Sequence, residues 1–215
     1  MDGWIETQID MKAVDWKGKP IQLKDVKALQ HIKTGQVRVY PADVAKAEIR
    51  MLAEKQGLEP RDVATLLMLK ARPGVFPSGQ VLFKYHLNKM LFYQWMEMEK
   101  NKIGETFLHD DFEPKRYGPV PKHLWEDLKR LEERELVATE LVPWDTGPKK
   151  RLNIELTKAG KVIASELWRK VPNPLREITK KVKEDLFPLN PKTIRKAVHR
   201  DYPEFRKSYV EEDIE

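Results

Sequence analysis

Cysteine is absent from the 215 residues, which excludes disulfides and thiolate zinc sites. No apolar run reaches membrane-spanning length. The start, Met1-Asp2-Gly3-Trp4-Ile5-Glu6, has neither the basic end nor the apolar stretch of a signal peptide, so a cytoplasmic protein without membrane association is the expectation. There is no Gly-rich phosphate loop, no nucleophile elbow and no zinc-helix pair of histidines. The sequence therefore offers no catalytic residue, no metal set and no cofactor site, and the expectation is a protein that is not an enzyme. A grouping of His109, Asp110, Asp111 and His123 is the nearest approach to a metal site. Adjacent loop residues rarely converge on one ion, and the spacing matches no familiar ligand pattern, so the metal reading is set aside.

Forty basic residues stand against thirty-four acidic ones, a net charge of +6 spread over a mixed surface. That balance favours an acidic partner, nucleic acid or protein, without separating the two. The chain is long enough for one domain with an extension or for two small domains.

Residues 1–79 read as an N-terminal α+β extension. Ile5, Gln8, Ile9, Val14 and Trp16 point to one or two strands, Lys17 to Pro20 to a turn, and Val37 to Tyr40 to a further short strand. Pro41 opens a helix that Gly57 stops, and Pro60 to Lys70 form a second. Ala53, Gly57, Val63 and Leu66 match helix-turn-helix spacing. In that reading Arg61, Asp62, Thr65 and Met68 face outward, a set poor in base-reading side chains, and a plain helical hairpin is the simpler account. Residues 73–79 are the linker expected between extension and main domain.

Residues 80–206 form the main domain. From Gln80 to Lys100 apolar residues cover more than one helical face, the pattern of a buried central helix, with Asn88 placed to organise the turn that follows. That turn is Tyr117-Gly118-Pro119-Val120-Pro121, where glycine permits a rare backbone angle and the prolines fix the chain before a helix at 121–135. A strand at 136–142, a basic turn at 145–150 and an alternating strand at 151–156 follow. Thr157 caps a helix carrying Val162, Ile163, Leu167 and Trp168. Helix, helix, strand, turn, strand, helix is the order of a winged helix, so the fold expected is mainly α within an α+β class, with a two-stranded wing. Lys149, Lys150 and Arg151 at the wing tip could meet phosphate. The helix at 121–135 carries many carboxylates, which would meet phosphates badly. Two proline-opened helices near Asn173 and Asn190 follow, and residues 207–215 form an acidic tail.

Residues from about 82 to 206 resemble the Panacea domain, the SocA-like antitoxin and phage-associated family. The resemblance rests on Leu87-Asn88-Lys89-Met90-Leu91-Phe92-Tyr93, on Phe112-Glu113 leading to Tyr117-Gly118-Pro119-Val120, on Leu156-Thr157-Lys158-Ala159-Gly160, and on His199 to Glu204. Pro114 departs from the small residue the family favours, and residues 1–79 lie outside the resemblance. It implies a mostly helical domain that binds and neutralises a partner protein such as a toxin, sometimes delivering it to a protease. Its signature positions here are Lys89, Tyr93, Tyr117, Gly118, Pro119 and Val120, with structural rather than catalytic roles. Repression of its own genes through DNA, and a homodimer, are compatible with this reading.

Overall fold

A computed structural model describes residues 3–14, 19–71, 82–101, 112–113, 118–143 and 150–205. The linker expected at 73–79, the acidic tail, Tyr117, Lys149, and His109, Asp110 and Asp111 of the metal grouping lie outside the described residues. The fold is α+β: seven helices and small antiparallel sheets among those residues.

Strands β1 (Trp4–Val14), β2 (Pro20–His31) and β3 (Val37–Val39) form one sheet in the order β1-β2-β3. Two residues of β2, Lys24 and Asp25, oppose the single Asp10 of β1, so the register shifts there. Asp25 takes φ +52° at this bulge and its amide donates to Asp10 Oδ1 at 3.2 Å. Helix α1 (Pro41–Lys55) packs against β2, with Ala47 meeting the buried Leu23 and Val26. It ends in a Schellman turn. Gly57, at φ +61°, donates to Glu54 O at 2.9 Å, and Leu58 donates to Ala53 O at 2.8 Å.

Helix α2 (Pro60–Lys70) is buried on every side from Asp62 to Leu69. This corrects the helix-turn-helix expectation, because Asp62, Thr65 and Met68 are each fully buried and cannot read a groove. Asp62 Oδ2 accepts from the Glu59 amide at 2.9 Å and closes the helix start as a capping box.

Strand β4 (Leu82–Phe83) precedes α3 (Lys84–Lys100), so the helix begins four residues later than the apolar pattern indicates, the intervening chain pairing with a later strand. A two-stranded ribbon of β5 (Phe112–Glu113) and β6 (Val120–Pro121) leads to α4 (Leu124–Glu133). Strands β7 (Val137–Pro143) and β8 (Lys150–Leu156) complete a second sheet in the order β4-β8-β7. Helices α5 (Lys158–Lys170), α6 (Asn173–Leu186) and α7 (Pro191–Asp201) follow, α5 and α7 capped by Thr157 and Asn190 as their residue types predict. Of the apolar residues on α5, Val162 is 66% exposed, and Ala164 and Leu167 make the buried contact.

The hydrophobic core runs across residue 79. One cluster joins α1 and α2 to α3, α4, β7, β8, α5 and α6, and a second gathers Phe92 with Ile194, Val198 and Tyr202. Helix α2 is the hub of the first. Its last carbonyls, which no intrahelical amide reaches, accept from Lys183 of α6: Nζ donates to Met68 O at 2.7 Å and to Leu69 O at 3.2 Å. No helix among the described residues is long and apolar enough to cross a membrane.

Candidate functional site

Three of the six signature positions meet at one junction. Lys89, on the buried face of α3 and 1% exposed, donates from Nζ to Pro119 O at 2.7 Å. Gly118 has φ +89°, and a Cβ there would lie 3.3 Å from Lys89 Nζ. The ammonium also lies 5.4 Å from the ring centroid of Tyr85, and burial pushes its pKa down to about 7. Asn88, expected to organise this turn, does not. Its Oδ1 is buried without a hydrogen-bond partner among the described residues, and the adjacent lysine holds the turn instead. Val120 is half-buried and pairs with Glu113 in the small ribbon.

Tyr93 lies one turn further along α3. Its hydroxyl donates to Asp201 Oδ2 at 2.9 Å, and its ring packs edge-on against Tyr202 at 5.3 Å. Arg200 holds the same carboxylate at 2.6 Å, and Lys100 Nζ reaches Tyr202 Oη at 3.3 Å. The two sequence segments singled out at 87–93 and 199–204 are therefore in direct contact. Beside them is a cleft of about 370 Å³, lined in part by Tyr93, Lys100, Lys181, Asp185, Arg200 and Tyr202. Lysine, arginine and aspartate mix in its walls, so no one sign of charge prevails.

These residues secure the chain turn. Gly118→Val should cost about 2–3 kcal/mol, since a β-branched residue at positive φ is strained and its side chain crowds the Lys89 ammonium that donates to Pro119 O. Urea unfolding checks this. A variant with an unchanged midpoint would show that the turn has no structural role.

Helix α4 is fixed to α2 by charge. Arg130 Nη2 donates to Asp62 Oδ1 at 2.7 Å and Nε to Asp62 Oδ2 at 3.1 Å, the bidentate fork that arginine forms with carboxylates. The same guanidinium reaches Asp127 Oδ1 at 2.7 Å, and Arg61 of α2 reaches that atom at 3.2 Å. Burial raises the Asp127 pKa, with Arg61 and Arg130 pulling it down. Arg134 donates to the carbonyls of Gln56, at 2.7 Å, and Gly57, at the end of α1. Sequence reasoning saw these arginines as part of a mixed charge pattern. Which carboxylates they meet depends on how α4 lies across α2, and nothing in the spacing within α4 encodes that.

No protein-family model matches the chain, and no curated protein matches it.

With Arg130 turned toward α2 and the exposed Arg134 reaching the end of α1, the outer surface of α4 presents Trp125, Glu126, Lys129, Glu132 and Glu133. Trp125 is 54% exposed, and Lys84 Nζ lies 3.4 Å above its ring. His123 pairs with Glu126 at 3.0 Å, and no cluster of metal-ligating side chains occurs among the described residues. At the start of β8, Lys150 is exposed, whereas the Arg151 guanidinium stacks 3.9 Å from the Phe83 ring centroid. Arg151 thus braces β8 against the start of α3. Leu141, on the partner strand, is 62% exposed.

Proposed function

We propose that this chain is a non-enzymatic, cytoplasmic protein-binding module, antitoxin-like in the manner of the Panacea domain, which neutralises a partner protein through the outer face of a winged-helix α4. The observation that carries this reading is the exposed Trp125 on the outer face of α4, which it shares with Glu126, Lys129, Glu132 and Glu133, while Arg130 is held by Asp62 and Asp127. Tryptophan is the residue type most often found as an interface anchor. Lys84 over its ring and Lys129 beside Glu126, Glu132 and Glu133 make a surface of mixed charge, which suits a protein partner better than a run of phosphates. The strand order β4-β8-β7, with α4 entering β7, supports the winged-helix part of the proposal. Neither a metal nor a cofactor has a part in it.

The test is genetic and then biochemical. The gene beside this one, expressed alone, should arrest growth, and co-expression of this chain should relieve the arrest. A folded Trp125→Ala variant should weaken binding of the purified product roughly 30-fold, the scale of a lost aromatic anchor of about 2 kcal/mol. A harmless neighbour removes the antitoxin reading.

DNA binding is the second reading, supported by the same strand order, the net charge of +6, and Lys149, Lys150 and Arg151 at the wing. It requires retention on DNA at low salt, with a steep salt dependence that softens when those three residues become Ala. Absence of retention at low salt removes this second reading and leaves the first untouched.

A further inference from the structure

Strand β1 leaves one edge unpaired. Among the described residues it bonds only to β2, and its other edge faces no strand over 11 residues. The bulge lies in β2, so β1 itself is regular. The edge contains no proline, and Ile5, Thr7, Ile9, Met11 and Ala13, whose side chains share the face turned toward α1, include no charge; the charges of the strand, Glu6, Asp10 and Lys12, all stand on its other face. Helix α1 packs against β2, which leaves Thr7, Ile9, Met11 and Ala13 half-covered and Ile5 48% exposed.

We infer that this edge pairs with the same edge of a second copy of the chain, antiparallel, with Ile9 on the two-fold axis. The strand is self-complementary in that register. Glu6 stands opposite Lys12 of the second copy, twice per dimer. Gln8 meets Asp10, Thr7 meets Met11, and Ile9 meets itself. Both exposed apolar residues of the strand also gain an apolar partner, Ile5 against Ala13 and Val14 against Trp4. Neighbouring registers lose this match. A shift of one residue sets Glu6 against Met11 or Ala13 and puts the two α1 helices on opposite faces of the joined sheet. A shift of two sets Glu6 against Asp10, or Asp10 against its own copy. Self-pairing of one patch across a two-fold axis gives a closed dimer that uses both β1 edges, the joined sheet ending in the three-residue β3 of each copy. The occupant is a second copy, because an unrelated strand would not be expected to satisfy both charged positions and both apolar ones.

Sedimentation velocity of the full chain over a concentration series tests this. Wild type should dimerise. Lys12→Glu places four carboxylates where two ion pairs were, and should weaken the dimer roughly tenfold or more. Glu6→Lys combined with Lys12→Glu exchanges the charges and should restore wild-type association. Both positions are exposed, so the variants keep the fold, which circular dichroism checks. A wild type that stays monomeric at every concentration overturns the inference. So does a dimer indifferent to Lys12→Glu, or one that the double exchange fails to restore.

Discussion

Gly160→Ala is expected to leave the protein largely unfolded, or to cost at least about 4 kcal/mol, a large share of the roughly 5–15 kcal/mol that holds a typical domain together. A Cβ at residue 160 would lie 1.8 Å from Leu136 O and 2.8 Å from Leu136 C. Both are backbone atoms, so no side chain can turn aside. Leu136 is itself fixed. Its amide donates to Leu131 O at 2.9 Å, closing the end of α4 through Glu135 at φ +56°, and its carbonyl accepts from Thr157 N at 3.2 Å. Thr157 then caps α5 by accepting from Gly160 N at 3.0 Å, while its hydroxyl donates to Glu135 O. Relief would need α5 to move as a body away from β7, and α5 packs on the hub helix α2. Two companion variants separate the causes. Thr157→Ala removes the cap and the hydroxyl's bond to Glu135 O while leaving the close approach at Gly160, and should cost about 1–2 kcal/mol. Gly35→Ala, at φ +68° with open space around it, reports backbone strain alone and should cost about 1–2 kcal/mol. If Gly160→Ala melts within a few degrees of Gly35→Ala, the close approach is not what the glycine serves.

The helices were legible because apolar spacing and local punctuation agreed. Pro41 and Gly57 bound α1, and Thr157 and Asn190 cap α5 and α7 through contacts three residues away. Strand β2 was hidden by its bulge. Ile21 and Leu23 alternate, then Val26 and Ala28 alternate in the opposite phase, so the period of two breaks in the middle although one face stays buried. Helix α2 was read as half-exposed because Arg61, Asp62 and Thr65 interrupt its apolar residues. The partner that satisfies Asp62 is Arg130, sixty-eight residues on. The candidate site was half legible. Gly118 and Pro119 announced a turn, but the side chain that holds it was assigned to Asn88 when its neighbour Lys89 does the work. Lysine beside an apolar run is ordinarily a chain reaching for solvent. Only the distant carbonyl of Pro119 makes its burial affordable, and that of Met68, 115 residues away, does the same for Lys183.

Those two lysines should make the protein more stable as pH rises from 7 towards 10, the reverse of what surface lysines do. Burial pushes each folded-state pKa down to about 7, against about 10.4 for an unfolded lysine. Between those values the unfolded chain binds the proton and the folded chain does not, so unfolding stability climbs with pH, by up to about 1.4 kcal/mol per unit for each lysine. Below pH 7 both states are protonated and the full cost of the buried charge remains. Lys84, whose pKa burial also lowers, adds a smaller contribution of the same sign. The rise has an upper limit. Burial and the hydrogen bond to Asp201 raise the pKa of Tyr93, and burial raises that of Tyr202, so above about pH 10 the unfolded phenols ionise first and stability falls again. Urea midpoints measured from pH 6 to 11 should therefore peak near pH 9–10. In a Lys89→Met, Lys183→Met double variant the rise should flatten while the alkaline fall persists, because methionine fills the same volume without a proton to lose. A double variant whose curve runs parallel to wild type would show that both ammonium groups stay charged in the fold, held by the Pro119, Met68 and Leu69 carbonyls strongly enough to outweigh their loss of water.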